Sequence, residues 1–197
     1  MQSSPDALFD DFGDGDNQVS LLDGRNGYWW IAKAEHATIT LPGSEFKASE
    51  GGPPGSKYAA HVTGKTDSVD QWGVALGANF LAAGFYDASK YAGVSFKIKG
   101  QAKAFARFKL HDVNTIPEGG QCTKECWNAF GKTLQLTGEW QTFELSFAEL
   151  HQLDGWGVPR PPSLTTSKVK HFEWAIDQGE AFDVWVDEVQ LLRCATP

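Results

Sequence analysis

Apolar and polar residues alternate with a period of two through most of this chain, the pattern of strands with one buried face. Val94, Phe96 and Ile98 alternate with Ser95, Lys97 and Lys99. Phe143, Leu145 and Phe147 alternate with Thr142, Glu144 and Ser146, and Phe172, Trp174 and Ile176 with His171, Glu173 and Asp177. Trp72, Val74, Leu76, Ala78 and Phe80 share one parity, with Gly73, Ala75, Gly77 and Asn79 between them. The stretch 182–192 is apolar on both parities around Val184, Trp185 and Val186, which predicts a central or covered strand. Shorter strands are expected over 28–33, 37–41, 58–63 and 104–111. The segment 44–57, with Gly51, Gly52, Pro53, Pro54 and Gly55, reads as a loop, and only 147–153 looks like a helical turn. About nine or ten strands without a long helix predict an all-β fold, a two-sheet β-sandwich of jelly-roll, galactose-binding-like type. One domain over 1–197 is expected, with 1–7 and 193–197 as frayed ends.

Strand 104–111 departs from a plain amphipathic reading. Ala106, Phe108 and Leu110 form one face, and Arg107, Lys109 and His111 the other. Three long polar side chains in a row suit an open sheet face that takes a polar ligand. They equally suit a solvated face paired with Glu144 or Glu173.

The chain has eight tryptophans, and two stand in glycine-rich loops. Trp127 follows Gly119, Gly120 and the pair Cys122/Cys126; Trp156 lies between Gly155 and Gly157. A loop tryptophan either plugs the end of the sandwich or offers a flat apolar face to a ligand. Trp72, Trp174 and Trp185 read as core, Trp140 as an edge residue, and one of Trp29 and Trp30 as core because the two point to opposite faces.

A formal net charge of −8 disfavours nucleic acid and anionic membrane as partners, and a neutral ligand fits well. No apolar run has the length to span a bilayer. Residues 1–6 lack the basic start and apolar stretch of a signal peptide, so export implies a start after the cleavage site. Cys122 and Cys126 are spaced for a small disulfide that pins their loop, which implies an oxidising, extracellular compartment, and no Cys or His follows at zinc-like spacing. Cys194 is left over.

Four motifs in order carry a resemblance. They are Phe9-Asp10-Asp11-Phe12-Gly13-Asp14-Gly15-Asp16-Asn17, Tyr86-Asp87-Ala88-Ser89-Lys90-Tyr91-Ala92-Gly93-Val94-Ser95-Phe96, Gly138-Glu139-Trp140-Gln141 leading to Phe147-Ala148-Glu149-Leu150, and Phe182-Asp183-Val184-Trp185-Val186-Asp187-Glu188-Val189. Over nearly its whole length the chain resembles the β-jelly-roll carbohydrate-binding modules of bacterial plant-cell-wall hydrolases, most of all the family 11, β-glucan-binding type. It departs from the type at Gly13, where an acidic residue is usual, and in the loop around Cys122–Trp127. The resemblance implies a polysaccharide ligand on a concave sheet face, a glycoside hydrolase module as partner, secretion and a structural Ca²⁺. Asp11, Asp14 and Asp16 near the first strand, with Asp187 in the last, are the candidate calcium ligands, since terminal strands of a jelly roll can run side by side. Stacking candidates for sugar rings are Trp30, Tyr86, Trp127 and Trp156; hydroxyl-binding candidates are Arg107, Lys109, His111, Asp112 and Asn114.

Two other classes compete. A jelly-roll glycosidase needs two carboxylates facing across a cleft, roughly 5–9.5 Å apart, and Glu144 with Glu173 is the available pair. No Gly-x-Ser-x-Gly elbow or metal-ligand histidine spacing occurs. A protein-interaction or assembly sandwich is the third reading, because fold alone does not fix function.

Overall fold

The protein is described by a computed structural model over residues 1–70, 72–101, 105–176 and 181–194. Twelve strands are present among these residues: β1 (Leu8–Asp10), β2 (Trp29–Lys33), β3 (Thr38–Leu41), β4 (Ser49–Glu50), β5 (Tyr58–Lys65), β6 (Val74–Asn79), β7 (Gly93–Gly100), β8 (Phe105–Asp112), β9 (Phe130–Gln135), β10 (Gln141–Ser146), β11 (Val169–Ile176) and β12 (Ala181–Leu192). They form two antiparallel sheets. One runs β10-β7-β12-β5-β3, with β1 added on β12 and β4 on β5; the other runs β2-β6-β11-β8-β9.

The inward parities expected from the sequence meet between the sheets. Trp174 on β11 is fully buried, lies parallel to Trp29 of β2 at 5.9 Å between ring centroids, and meets Phe96 of the opposite sheet edge-on at 5.0 Å. Phe9 of β1 enters the same core against Phe172. Such aromatic pairs add roughly 0.5–1.5 kcal/mol each beyond the area they bury. β12 is central, between β7 and β5, which explains its two apolar faces. Its register breaks between Asp187 and Gln190, with Glu188 at φ 48°; past this bulge β12 leaves β5 and pairs with β1. The expected helical turn is a single 3₁₀ turn over Phe147–Glu149, closed by a Ser146/Glu149 capping box.

Three expectations are corrected, and one strand, β9, was not foreseen. Of the expected frayed ends, the described parts are tied down: Gln2 and Arg193 exchange backbone hydrogen bonds, Arg193 also pairs with Asp6, and Ala7 is fully buried. (Residues 195–197 lie outside the described residues.) β9 was not legible, because exposed Lys132 falls on the parity of buried Phe130 and Leu134 and breaks the apolar alternation. Trp185 is on the outer face of the larger sheet rather than in the core. There it stacks on His61 at 3.5 Å, and the Lys99 ammonium lies over both Trp185 and Trp140. Finally, Glu144 sits on β10 of one sheet and Glu173 on β11 of the other, both on outward faces, so the two carboxylates point away from each other and cannot share a cleft.

Candidate binding groove

The outer face of the five-stranded sheet is shaped by what is missing from it. Successive cross-strand rows read Ala32–Ala75–Ala175 and Trp30–Gly77–Glu173–Lys109 across β2, β6, β11 and β8. Small residues on β6 leave a trough, and Gly77 lets the Trp30 indole lie flat over the strand. A β-carbon at Gly77 would sit 2.3 Å from that ring. The indole is then fixed by donating its Nε1–H to Asn79 Oδ1 at 3.2 Å.

Loops raise the trough into a groove with a cavity of about 960 Å³. Four tryptophans line it: Trp30, Trp72, Trp127 and Trp156. Trp127 is 49% exposed and Trp72 45%, a large apolar surface for side chains of this size to leave in water. Trp127 holds a left-handed backbone (φ 81°), a conformation costing on the order of 1 kcal/mol that persists only where neighbours impose it. Those neighbours can be named. The Cys122–Cys126 disulfide closes the preceding turn. The Trp127 N–H donates to Thr115 O at 2.7 Å. Buried Asn128 donates its Nδ2–H to the carbonyls of Leu153 and Trp156, accepts from Leu153 N–H, and so ties the two tryptophan loops together. Val158 bridges the same two loops, its N–H donating to Lys124 O and its carbonyl accepting from Thr123 N–H.

The polar floor is compact. Lys109 Nζ bonds Glu173 Oε1 at 3.0 Å. His111 and His171 lie side by side with ring centroids 4.4 Å apart, and Trp127 is 5.8 Å from the first and 6.4 Å from the second. Burial drives the His171 pKa well below the usual histidine value, with His111 pushing the same way, so this ring is neutral at pH 7. Burial would raise Glu173, yet His111, Lys109 and His171 together hold its carboxyl well below the usual carboxylate range. The floor thus presents a fixed carboxylate, an ammonium and two imidazoles under apolar walls, a mixture suited to a ligand with apolar faces and hydroxyl edges.

Of the residues singled out in the sequence, Trp30, Lys109, His111, Trp127 and Trp156 come together here. Arg107 shares the sheet face but turns to the β9 edge, where it packs over Gly131 and donates to His151 O at 2.6 Å, outside the main cavity. Tyr86 is buried against Phe80, and its hydroxyl donates to Asp23, which also takes Tyr91 and Lys90; its ring is not available for stacking. Asp112 is fully buried and accepts from Asn114 N–H, Asn114 Nδ2–H and Thr165 N–H. It builds the turn whose Thr115 carbonyl holds Trp127, so Asp112 and Asn114 position the groove wall rather than face the cavity. Trp72 was expected in the core; β6 begins only at Val74, so strand parity does not govern it. His171, Asn79 and Asn128 were missed. His171 had the right outward parity on its strand, but its place beside His111 needs the β8–β11 register.

On β1 and β12 of the larger sheet, Asp10 and Asp187 are buried, and burial raises them to about 7 and about 6. Asp10 spends both oxygens on Phe12 N–H and Trp29 Nε1–H. Asp187 accepts from Glu188 N–H through Oδ1, while its buried Oδ2 has no partner. Asp11 acts on both of these charges. Asp14 and Asp16 are exposed and accept the N–H groups of Asp16 and Gln18 in local turns.

No sequence-family description and no curated protein sequence matches the chain. Solved structures do. The family 11 carbohydrate-binding module of a cellulosomal cellulase from Clostridium thermocellum superposes with a TM-score of 0.64 at 17% identity, over 96% of this chain and 95% of that one. The fold is that of the family 11 carbohydrate-binding modules. A second family 11 structure from that organism, in complex with a β-1,3-1,4-mixed-linked tetrasaccharide, gives a TM-score of 0.58 at 16% identity, covering 86% and 91% of the two chains. A family 30 module of a further Clostridium thermocellum cellulosomal cellulase gives 0.60 at 13% identity, covering 85% and 92%.

Proposed function

We propose that the protein is a non-catalytic carbohydrate-binding module that takes a β-glucan chain along the groove. The observation that carries this reading is the convergence of Trp30, Trp72, Trp127 and Trp156 on one cavity whose floor is Lys109, Glu173, His111 and His171. A β-linked glucan alternates C–H faces, which stack on indoles, with hydroxyl edges, which bond a carboxylate, an ammonium and imidazoles. The mixed-linked tetrasaccharide in a structure of the same fold supports that ligand class. The separation of Glu144 and Glu173 onto opposite faces removes the carboxylate pair a hydrolase reading would need. Secretion and attachment to a catalytic hydrolase complete the proposal, since a domain that only binds polysaccharide serves by holding a catalytic partner near it. The Cys122–Cys126 disulfide supports an oxidising compartment.

The proposal includes a structural Ca²⁺ at the β1–β12 end. A buried carboxylate oxygen left without a donor suits a hard cation, and Asp187 Oδ2 is such an atom. Asp187 and Asp11 are the residues of this chain that would hold the ion, with Asp14 and Asp16 left in solvent. The ion would supply neutralisation of acidic groups crowded where the terminal strands meet.

The test of the ligand is retardation in native gels containing mixed-linkage β-glucan, xyloglucan, xylan or mannan, with reducing-sugar release measured on the same polymers. Retardation by β-glucan without release is expected. Release from any of them, or no retardation by any, overturns the reading.

A further inference from the structure

We infer that His111, His171 and Glu173 form a binding site for a late first-row divalent metal of the zinc class, set in the floor of the groove. Their donor atoms all lie within 4.8 Å of one another, and this is the group of three His, Cys, Asp or Glu side chains that the described residues bring so close. His111 Nε2 is 3.7 Å from Glu173 Oε1, and His171 Nε2 is 3.9 Å from Glu173 Oε2. Both separations are too long for hydrogen bonds. Donors around a tetrahedral zinc stand about 3.4 Å apart, given metal–ligand bonds near 2.0–2.2 Å, so small imidazole rotations bring the set to bonding range.

The set lacks a partner of its own. His111 Nε2 and His171 Nε2 are both buried with no hydrogen-bond partner, and of the seven such side-chain atoms among the described residues these two face the same carboxylate. The other ring nitrogen of His111, Nδ1, lies 3.3 Å from Thr115 Oγ1, which orients the ring so that Nε2 faces the carboxylate. Two unpartnered imidazole nitrogens facing one carboxylate form a donor set that a metal ion can join. Lys109 meets the need of Oε1 alone, and in doing so orients the carboxylate as an outer-shell partner does.

Two imidazoles and one carboxylate are borderline ligands that favour zinc, cobalt, nickel or copper over calcium. Three protein ligands leave further coordination positions open, here toward the groove beneath Trp127, where water or a ligand hydroxyl can enter. The inference does not depend on the groove holding sugar, and it concerns the other sheet from the one that carries Asp187.

The experiment uses tag-free, chelator-treated protein, titrated with ZnCl₂ by calorimetry in excess Ca²⁺, and with Co²⁺ followed by its visible ligand-field band. One equivalent of Zn²⁺ is expected, with a Co²⁺ band of low-coordinate type and quenching of Trp127 fluorescence by bound Co²⁺. His111→Gln, His171→Gln and Glu173→Gln should each weaken uptake at least about 10-fold, with circular dichroism confirming the fold. A folded wild-type protein that takes up neither metal at submillimolar concentration overturns the inference. So does one-equivalent uptake that persists unchanged in the folded His111→Gln/His171→Gln double variant, since the ion would then sit on His36, His61 or His151.

Discussion

Residue by residue, the tryptophans carry the functional content of the chain, and strand parity sorted them only in part. Parity works inside a strand: it placed Trp174 in the core and split Trp29 from Trp30, as found. It fails where a strand has ended, as at Trp72, and where the outer face is itself apolar, as at Trp185. The contacts of Asp23 had no signature at all, because Tyr86, Tyr91 and Lys90 reach it from more than sixty positions away. Burial works against ionising Asp23, but those three donors hold its pKa at about 2, below the 3.8 of an unfolded chain. The folded pKa is the lower one, so this stabilisation is complete above pH 3.8 and is lost as pH falls through about 2. Asp23→Asn should therefore cost on the order of 1 kcal/mol at pH 7, after allowance for solvent screening. Thermal midpoints taken from pH 7 down to 2 should show the variant and wild type converging; a gap that does not narrow with acidity contradicts this account.

Among the elements, β6 shapes the groove by its small residues, and that much was visible as Gly73, Ala75 and Gly77 between apolar positions. What the sequence could not show is that Gly77 lies under the Trp30 ring, since this requires the β2–β6 register. Gly77→Ala should lift Trp30 from the groove wall and weaken glucan binding about 5-fold, the equivalent of one lost stacking contact of about 1 kcal/mol. The obstacle is a side-chain ring rather than backbone, so the thermal midpoint should shift little. Unchanged affinity would show that Trp30 does not contribute. The two tryptophan loops illustrate a different limit of legibility. Their glycines and cysteines marked them as built features, yet the residue that joins them, Asn128, is an ordinary asparagine in sequence and becomes central only through its four hydrogen bonds to the 152–156 segment.

At the scale of the whole molecule, alternation and the ordered motifs made the two-sheet fold legible, while the pinned ends were misread because short polar termini usually fray. Here β1 pairs with β12 beyond its bulge, and Gln2 pairs with Arg193, so the first and last described segments run side by side. A calcium ion held by Asp187 and Asp11 would bind only the folded state and stabilise it by linkage. Chelation should lower the thermal midpoint by several degrees, at about 2–4 °C per kcal/mol for a chain of this size. Restored Ca²⁺ should reverse the drop in wild type but not in Asp187→Asn. An identical midpoint with and without calcium contradicts the calcium proposal.

The central claim is that one of the two sheet faces binds glycan through its tryptophans, and the opposite faces provide their own control. Affinity for mixed-linkage β-glucan should be measured by gel retardation for Trp30→Ala/Trp127→Ala on the groove and for Trp140→Ala/Trp185→Ala on the larger sheet. Loss of about 10-fold or more in the first variant, with wild-type retardation in the second, is the predicted result. Equal retardation of the folded groove variant and wild type, or loss confined to the Trp140/Trp185 variant, would contradict it.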